Sequence, residues 1–165
     1  IRDEEGKPLP PLQMGLVYSP SINTYTYRGA KSDVSSDGFE TVGDIGMVDE
    51  EGYLYLGDRK KDMVIVGGSN VYPAEVEAAI EEHPAVGSCA VIGVPEGDLG
   101  QRLHAVIYCP QADKVPTEAE MKAFLAERLV IYKVPRTFEY VQEHVRDDAG
   151  KVRRTALAAE RASKL

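Results

Sequence analysis

The 165-residue chain has few of the residues and patterns that build metal sites or membrane spans. It contains only two cysteines and three histidines, and none of them shows metal-ligand spacing. No apolar run approaches the roughly 20 residues that a transmembrane helix needs. We therefore expect no metal bound by the chain itself and no transmembrane segment.

Two cysteines allow at most one disulfide. Cys89 and Cys109 each lie in an apolar run, which favours small buried thiols kept reduced in the cytoplasm. A disulfide or a catalytic thiol is the alternative.

The chain also lacks an excess of basic residues. Its 19 Lys and Arg stand against 27 Asp and Glu, which gives a formal net charge of -8. A general nucleic-acid binder needs a clustered basic surface to neutralise phosphates, so we expect no nucleic-acid partner. A nucleotide ligand is still compatible with this charge, because a few well-placed Lys and Arg side chains are enough.

The amino terminus, IRDEEG, has neither a starting Met nor the apolar core of a signal peptide. With 43% hydrophobic and 28% charged residues, the composition is that of a globular protein with its own core. The length allows one domain, or a small domain and a piece of another. We expect the chain to be a fragment of a longer cytoplasmic protein.

The part before residue 58 has the alternation and turn signals of β-structure. Short strands are predicted at residues 16–18, 24–27 and 39–42, and two more flank a hairpin turn at 49–52. No self-sufficient core is evident in this stretch. We expect it to be the end of a larger domain.

After residue 61 the pattern changes to mixed helices and strands. A strand at 63–66 precedes a helix that begins at Pro73 and stops before Pro84. Apolar runs at 88–94 and 103–109 are suited to central strands. Further elements follow in the order helix, strand, helix, with a capping box formed by Thr117 and Glu120, a strand at 138–141 and a terminal helix at 153–164. This order predicts an α+β domain of about 100 residues.

Four motifs are candidates for ligand binding or catalysis, and the first two carry groups that suit nucleotide chemistry. Asp44 lies in the tetrapeptide GDIG at 43–46, where a carboxylate can accept two hydrogen bonds from ribose hydroxyls. Taken alone, this tetrapeptide is also typical of a hairpin turn. The run DRKKD at 58–62 supplies Arg59, a permanently charged forked donor, although a solvated charged turn is the simpler interpretation.

The third and fourth motifs are two separate glycine-containing stretches. Gly67 and Gly68 either end a strand or let the backbone approach a narrow ligand, because they have no side chains. Lys151 follows Gly150 in DDAGKVRR. A lone Lys after Gly is usually a surface residue, but a preplaced ammonium can also offset repulsion between two anions in a transition state.

In this order and spacing, the motifs resemble the carboxyl-terminal part of the AMP-forming adenylating enzymes, which include acyl-CoA synthetases, peptide-synthetase adenylation domains and firefly-type luciferases. The resemblance implies that Asp44 and Arg59 bind the ribose and phosphate region of ATP. It also implies that Lys61 is a hinge and that Lys151 lies between the substrate carboxylate and the α-phosphate. Further expected contacts to CoA and its pantetheine arm come from Gly67, Gly68, Ser69, Lys133 and Arg136.

The chain departs from the family just before Lys151. Family members usually have a Pro-containing approach to the Gly-Lys pair, whereas this chain has VRDDA at 145–149. The two acids, Asp147 and Asp148, suggest a pairing with the Lys151 ammonium when the site is empty.

The resemblance therefore predicts three parts: the β-rich end of a large amino-terminal domain at 1–59, a hinge at 60–61, and a lid domain with a central sheet and packed helices at 62–165. The parent enzyme would use ATP, Mg²⁺, a carboxylic acid and CoA. It would form acyl-AMP and pyrophosphate, then the CoA thioester and AMP. The fragment alone is expected to be inactive because the phosphate loop and acyl pocket belong to the missing domain.

Three alternatives remain at this point. An adenylation domain would use the same residues but transfer the acyl group to the phosphopantetheine of a carrier protein. A luciferase-like enzyme would share only the first half-reaction. A non-catalytic binding module could keep the lid fold, although such a module has no need to retain Asp44, Arg59 and Lys151 together.

Overall fold

The computed structural model describes residues 1–21, 34–97 and 100–162. The chain divides into two compact units, Ile1–Lys61 and Asp62–Leu165. The strand predicted at 24–27 lies outside the described residues.

The first unit is an antiparallel sheet of three strands. They are β1 (Gly15–Pro20), β2 (Phe39–Val48) and β3 (Leu54–Arg59), in the order β1-β2-β3. The predicted hairpin turn at 49–52 joins β2 to β3, where the Asp49 carboxylate accepts the backbone N–H groups of Glu51 and Tyr53. The GDIG residues do not form a turn. They lie inside β2, next to a shift in the pairing with β3 between Asp44 and Gly46.

The second unit begins with a small hairpin of β4 (Val64–Val66) and β5 (Ser69–Val71). Its two-residue turn is Gly67 and Gly68, with φ of 54° and 83°. Two positive φ angles are required by the hairpin turn whose twist matches its strands, and glycine adopts them without steric cost. The sequence predicted only the first of these strands.

The remaining elements follow the predicted order. They are α1 (Pro73–Glu81), β6 (Ser88–Pro95), β7 (Gln101–Tyr108), α2 (Glu118–Ala126), β8 (Thr137–Val141) and α3 (Arg154–Ala162). Pro73 starts α1, a position where its missing N–H costs nothing. The capping box before α2 is present, with the Thr117 hydroxyl accepting the Glu120 N–H and the Glu120 carboxylate accepting the Thr117 N–H. The predicted α+β class is confirmed.

The main sheet of the second unit has the strand order β6-β7-β8. Strand β7 is central and pairs antiparallel with β6 and parallel with β8. Strand β6 was also expected to be central, but it lies at the edge of this described sheet. Its burial has another cause, because both α1 and α3 contact it.

The core of the second unit lies between the helices and the sheet. The buried apolar residues that form it are Val64, Val71, Val76, Ala79, Ile80, Cys89, Val91, Leu103, Ala105, Ile107, Cys109, Met121, Leu125 and Phe138. Among the described helices, none is long and apolar enough to cross a membrane.

Candidate functional site

Asp44 and Arg59 lie side by side in the first unit. They face each other in the β2–β3 ladder, and Arg59 Nε is 3.5 Å from Asp44 Oδ1. The Arg59 side chain is 60% exposed and the Asp44 side chain 29% exposed, so both groups are open to a ligand. An exposed ion pair of this length contributes little to stability. The geometry therefore leaves a carboxylate and a guanidinium available at one point of the sheet.

A cavity of about 490 Å³ adjoins this pair. Its lining includes Gly43, Arg59, Lys60 and Lys61. Gly43 has a φ of 82°, and a Cβ at this position would meet nothing within 4 Å. The cavity is thus lined by three cationic side chains and by a backbone segment without a side chain, which together suit an anionic ligand.

The predicted hinge residue lies in a short 3-10 turn, Lys60–Asp62, that follows β3. Lys61 is exposed and is the last residue of the first unit. The adjacent Lys60 pairs with Glu4 at 3.2 Å. Lys60 and Lys61 are both exposed, and backbone angles can change at low cost in such a segment.

Lys151 lies on a compact loop before α3. The Asp147 carboxylate accepts the backbone N–H groups of Ala149 at 3.0 Å and Lys151 at 2.9 Å. The Asp147 carbonyl accepts the N–H of Gly150, and the Asp147 N–H donates to the Lys151 carbonyl. Gly150 has a φ of 71°, which favours glycine. Asp147 thus organises the loop through backbone contacts.

The side chain of Lys151 is exposed. No carboxylate among the described residues forms a salt bridge with its ammonium, so the suggested pairing with Asp147 or Asp148 is not observed. The loop takes the acidic side chain of Asp147 into its own hydrogen bonds instead. Lys151 is therefore presented at the surface of the second unit on an ordered turn.

A groove of about 860 Å³ lies in the second unit, between the β4–β5 hairpin and the segment that follows α2. It includes three of the residues expected to contact CoA: Gly67, Ser69 and Arg136. Arg136 is anchored by Glu96, whose Oε1 lies 2.8 Å from Arg136 Nη1. The volume is within the range of about 300–1,000 Å³ that is usual for small-molecule sites.

The other two expected CoA residues lie outside the described lining of the groove. Gly68 occupies the hairpin tip, where an added Cβ would meet nothing within 4 Å. Lys133 pairs with Glu75, at 2.6 and 2.7 Å from its two oxygens, and its side chain is only 20% exposed. Both Lys133 and Arg136 are paired with a carboxylate, but the side chain of Lys133 is much less exposed than that of Arg136.

Glu77 is a buried polar residue of α1 to which the sequence motifs assign no chemical role. It is 3% exposed and accepts charged hydrogen bonds from Arg146 and Arg154. A signal was present in the sequence. Glu77 shares the buried face of α1 with Pro73, Val76 and Ile80, and a carboxylate on an apolar helix face must be paired to be tolerated there.

The two cysteines are free and buried, as the favoured interpretation predicted. Burial raises the pKa of both thiols above the ordinary value. A thiol with a raised pKa contributes little thiolate at neutral pH. This argues against the alternative of a catalytic cysteine, and the two thiols form no disulfide.

His104 is buried within the main sheet. Its ring nitrogens lie 2.8 Å from Thr137 Oγ1 and 3.5 Å from Glu139 Oε2. Desolvation by burial lowers the pKa of His104, although the hydrogen bond and charge of Glu139 act in the opposite direction. Arg161 binds Glu139 from α3. This cluster connects β7, β8 and α3 and is a structural feature of the unit.

Comparison with known proteins gives one family match. Residues 75–151 match the family described as AMP-binding enzyme C-terminal domain. The matched segment includes Lys133, Arg136 and Lys151. It begins within α1 and ends on the loop that carries Lys151.

Individual relatives agree with this match. The chain is 42% identical over 127 residues to a long-chain-fatty-acid–CoA ligase of Bacillus subtilis (strain 168), covering 77% of this chain and 22% of the relative. It is 35% identical over 161 residues to the fatty acid–[acyl-carrier-protein] ligase ScoC of Streptomyces coeruleorubidus, covering 95% and 31%. Both relatives are named as ligases that act on fatty acids.

A solved structure extends the agreement to the fold. ATP-bound MatB from Rhodopseudomonas palustris superposes with a TM-score of 0.88 at 34% identity, covering 99% of this chain and 33% of that chain. The chain thus spans between about a fifth and a third of the length of these proteins. With its second unit matching the AMP-binding enzyme C-terminal domain, the chain belongs to the superfamily of AMP-forming adenylating enzymes.

Proposed function

We propose that the chain is the carboxyl-terminal part of an AMP-forming acyl-CoA synthetase. The parent enzyme activates a carboxylic acid with ATP to give acyl-AMP and pyrophosphate. It then transfers the acyl group to CoA and releases AMP. The observation that carries this proposal is the match of residues 75–151 to the AMP-binding enzyme C-terminal domain, which ends on the exposed Lys151.

Lys151 acts in the first half-reaction. A carboxylate oxygen of the acid attacks the α-phosphorus, and the bond from that phosphorus to the bridging oxygen of pyrophosphate breaks. Two anions must approach each other in this step, and an ammonium held between them offsets their repulsion. The ordered loop around Lys151 supports this role, because a transition-state donor must be positioned before the reaction.

Asp44 and Arg59 bind the nucleotide. The Asp44 carboxylate accepts hydrogen bonds from the ribose hydroxyls, and the Arg59 guanidinium binds oxygens of the ribose and phosphate region. Their proximity, with Nε 3.5 Å from Oδ1, and their exposure support this assignment. The neighbouring cavity lined by Lys60 and Lys61 supplies further positive charge near the phosphates.

The second half-reaction uses the groove of the second unit. The CoA sulfur attacks the acyl carbon, the thiol proton leaves, and the bond from the acyl carbon to the AMP oxygen breaks. We assign Gly67, Gly68 and Ser69 to the path of the pantetheine arm and Arg136 to the CoA nucleotide. Arg136 is 57% exposed, which supports this assignment, whereas Lys133 is the weaker candidate because its side chain is only 20% exposed.

Lys61 is the hinge about which the second unit rotates between the first and the second half-reaction. Rotation of the second unit about this exposed residue removes Lys151 after adenylation and brings the Gly68 turn to the acyl-adenylate. One mobile unit then serves two reactions in sequence. The hinge at 60–61 separates the end of the amino-terminal domain at 1–59 from the lid at 62–165.

Mg²⁺ accompanies ATP in this reaction and shields the phosphate charges. Within the described ranges, no group of three or more His, Cys, Asp or Glu side chains is arranged to hold a metal ion. We therefore assign no residue of this chain to Mg²⁺.

The acid is proposed to be a fatty acid, and the enzyme to work in the cytoplasm as part of fatty-acid metabolism. The names of the Bacillus and Streptomyces relatives support a fatty acid. The free thiols of Cys89 and Cys109 support a reducing compartment. The preference of the enzyme for an acid of a given chain length, or for one with a ring, is decided in the acyl pocket. None of the described residues is assigned to that pocket.

A carrier protein is the second candidate acceptor. The relative ScoC is named as a ligase that uses an acyl carrier protein, and its identity to this chain is close to that of the CoA ligases. Such an enzyme would keep Lys151, Asp44 and Arg59 in the same roles. It would differ only in the thiol that attacks the acyl-adenylate.

The test is thioester formation by the full-length parent with ATP, Mg²⁺ and a panel of carboxylic acids, with AMP followed in parallel. Each acid is offered with free CoA or with a phosphopantetheinylated carrier protein. Thioester on free CoA supports the proposal, and the best acid identifies the substrate class. Thioester on the carrier protein alone supports the second candidate. The absence of AMP and adenylate with every acid contradicts both and favours a non-catalytic lid module.

A further inference from the structure

The carboxylate of Glu77 binds three partners inside the second unit. Glu77 Oε1 accepts the backbone N–H of Val91 at 2.8 Å. Arg154 Nη2 lies 2.9 and 2.8 Å from the two carboxylate oxygens. Arg146 Nη2 lies 2.8 Å from Oε2. A buried negative charge is therefore matched by two guanidinium groups and one peptide N–H, which is the condition for keeping it in a core.

Both arginines come from the segment that carries Lys151. Arg146 precedes the turn and Arg154 follows it as the first residue of α3. Arg146 also donates to the Gly150 carbonyl at 3.3 Å, which belongs to the peptide that supplies the Lys151 N–H. The two ends of the Lys151 loop are thus tied to one buried carboxylate on α1.

A second carboxylate–arginine pair shows what a purely structural pair looks like in the same unit. Glu139 binds Arg161 through hydrogen bonds of 2.8 and 2.9 Å, and among the described residues no second arginine forms a salt bridge with it. That pair fastens the far end of α3 to β8. Glu77 differs because it closes the base of a loop whose tip carries the proposed catalytic ammonium.

The connection continues towards the hinge. Arg154 Nη1 also lies 3.4 Å from Asp62 Oδ2, and both side chains are largely buried. Asp62 directly follows Lys61. The same arginine therefore contacts the carboxylate that holds the Lys151 loop and the first residue of the second unit.

We propose that Glu77 is a positioning residue for the first half-reaction, because it holds Arg146 and Arg154 and thereby sets the place of Lys151. This inference rests on the proposed function. Glu77 is not a catalytic residue, since its buried carboxylate reaches the chemistry only through the loop.

The test uses Glu77→Gln in the full-length parent. An amide has nearly the same shape, but it carries no charge and its NH₂ group cannot accept a hydrogen bond from an arginine. In either orientation of the amide, Arg154 therefore loses one of its two hydrogen bonds to residue 77, and both arginines lose the negative charge that they share. We expect kcat for acyl-AMP formation to fall about 10- to 100-fold, the scale of a small misplacement of a catalytic group, with little change in KM for ATP. Thioester formation from supplied acyl-AMP is expected to stay close to the wild-type rate.

Two controls separate positioning from loss of structure. Glu139→Gln weakens the other carboxylate–arginine pair and is expected to leave the ratio of the two half-reactions unchanged. In a Lys151→Ala background, Glu77→Gln is expected to cause no further loss of adenylation, because the group it positions is absent. Equal losses in both half-reactions, or a further loss in the Lys151→Ala background, would overturn the inference.

Hydrogen exchange of the full-length parent supplies a readout that needs no activity. Glu77→Gln is expected to speed exchange in peptides covering 146–154, where the Lys151 N–H is bonded to Asp147. Glu139→Gln is expected not to do so. Unchanged exchange in this segment would overturn the inference even if the enzyme is an adenylating one. If the wild-type parent makes no adenylate, the proposed function fails, and the exchange result alone still shows whether Glu77 holds the loop.

Discussion

The two units bury their apolar residues to very different extents. The second unit has a continuous core in which residues such as Ile80, Ile107 and Leu125 are fully buried. In the first unit, the buried hydrophobic residues among those described are Leu16 and Ile45. The start of strand β3 and the residue before it instead expose four large apolar side chains in a row, at 49–65% of their surface: Tyr53, Leu54, Tyr55 and Leu56.

This difference is what we expect if the second unit is a domain in its own right and the first unit is not. A three-stranded sheet needs an apolar face packed against something else to be stable, and a contiguous exposed apolar patch marks a surface that another part of a protein covers. The second unit meets the first condition by itself, with helices on its sheet. For the first unit, we expect that another protein surface covers its exposed apolar side chains.

The largest effect is expected when the two units are produced as separate chains. Residues 62–165 alone are expected to unfold cooperatively in urea, because their core lies entirely within this range. Residues 1–61 alone are expected to show no cooperative transition. Circular dichroism at increasing urea concentration measures both. A cooperative transition in residues 1–61, or none in residues 62–165, would break the comparison.

A matched pair of leucine substitutions tests it at single residues. Leu125→Ala removes a fully buried side chain of α2 and is expected to lower the free energy of unfolding by about 2–5 kcal/mol. Leu56→Ala changes a side chain that is 64% exposed and is expected to have an effect within about 0.5 kcal/mol in this chain. Urea denaturation of the chain with each substitution measures the difference.

The same pair sharpens the comparison in the full-length parent. If the amino-terminal part covers β3, Leu56→Ala becomes clearly destabilising there, while the effect of Leu125→Ala stays the same. An unchanged, small effect of Leu56→Ala in the parent would show that this apolar row remains exposed.

The smallest expected effect is a pH dependence confined to the second unit, which contains all three histidines of the chain. Burial lowers the pKa of His104 in the folded state, so the unfolded chain binds the extra proton first. The contribution of the neutral His104 ring to the free energy of unfolding is therefore complete above the ordinary pKa of about 6.5. It is lost as the pH falls below that value. Glu139, Arg161 and Arg102 are the charged groups that act on this ring.

The measurement is the free energy of unfolding of residues 62–165 at pH 5.5 and 7.5. The decrease at pH 5.5 is expected to be smaller in His104→Gln, which has no group that titrates in this range. Glu139 contributes at lower pH, because Arg161 lowers its pKa from an already acidic ordinary value. An identical decrease with and without His104 would contradict the assignment.

Much of the second unit was predictable from local patterns. The capping box at Thr117, the proline start of α1 and the apolar runs of β6 and β7 each depend on neighbours in sequence, and all are present. Strand β5 was missed because three residues after a glycine turn are too few to show a period of two. The local pattern predicts a strand that ends at residue 42, because the glycines of GDIG resemble turn residues, whereas pairing with β1 and β3 keeps GDIG inside β2.

For the candidate site, the sequence predicted which residues take part but not most of their contacts. The motifs indicated Asp44, Arg59 and Lys151, and the structure places the first two together. The pairing of Lys133 with Glu75 and the links from Glu77 to Arg146 and Arg154 join residues that are far apart in the sequence. Such contacts depend on how α1 packs against the rest of the unit, which no local pattern encodes.

The most direct measurement of the central claim is on Lys151→Ala in the full-length parent, with the two half-reactions assayed separately. The rate of acyl-AMP formation is expected to fall roughly 10²- to 10³-fold, which corresponds to a loss of about 3–4 kcal/mol of transition-state stabilisation. The rate of thioester formation from supplied acyl-AMP is expected to be retained. Lys114→Ala, an exposed lysine of the same unit, serves as the control and is expected to affect neither step. If Lys151→Ala lowered the rates of both half-reactions equally, or lowered neither, the claim that the Lys151 ammonium acts in adenylation alone would be contradicted.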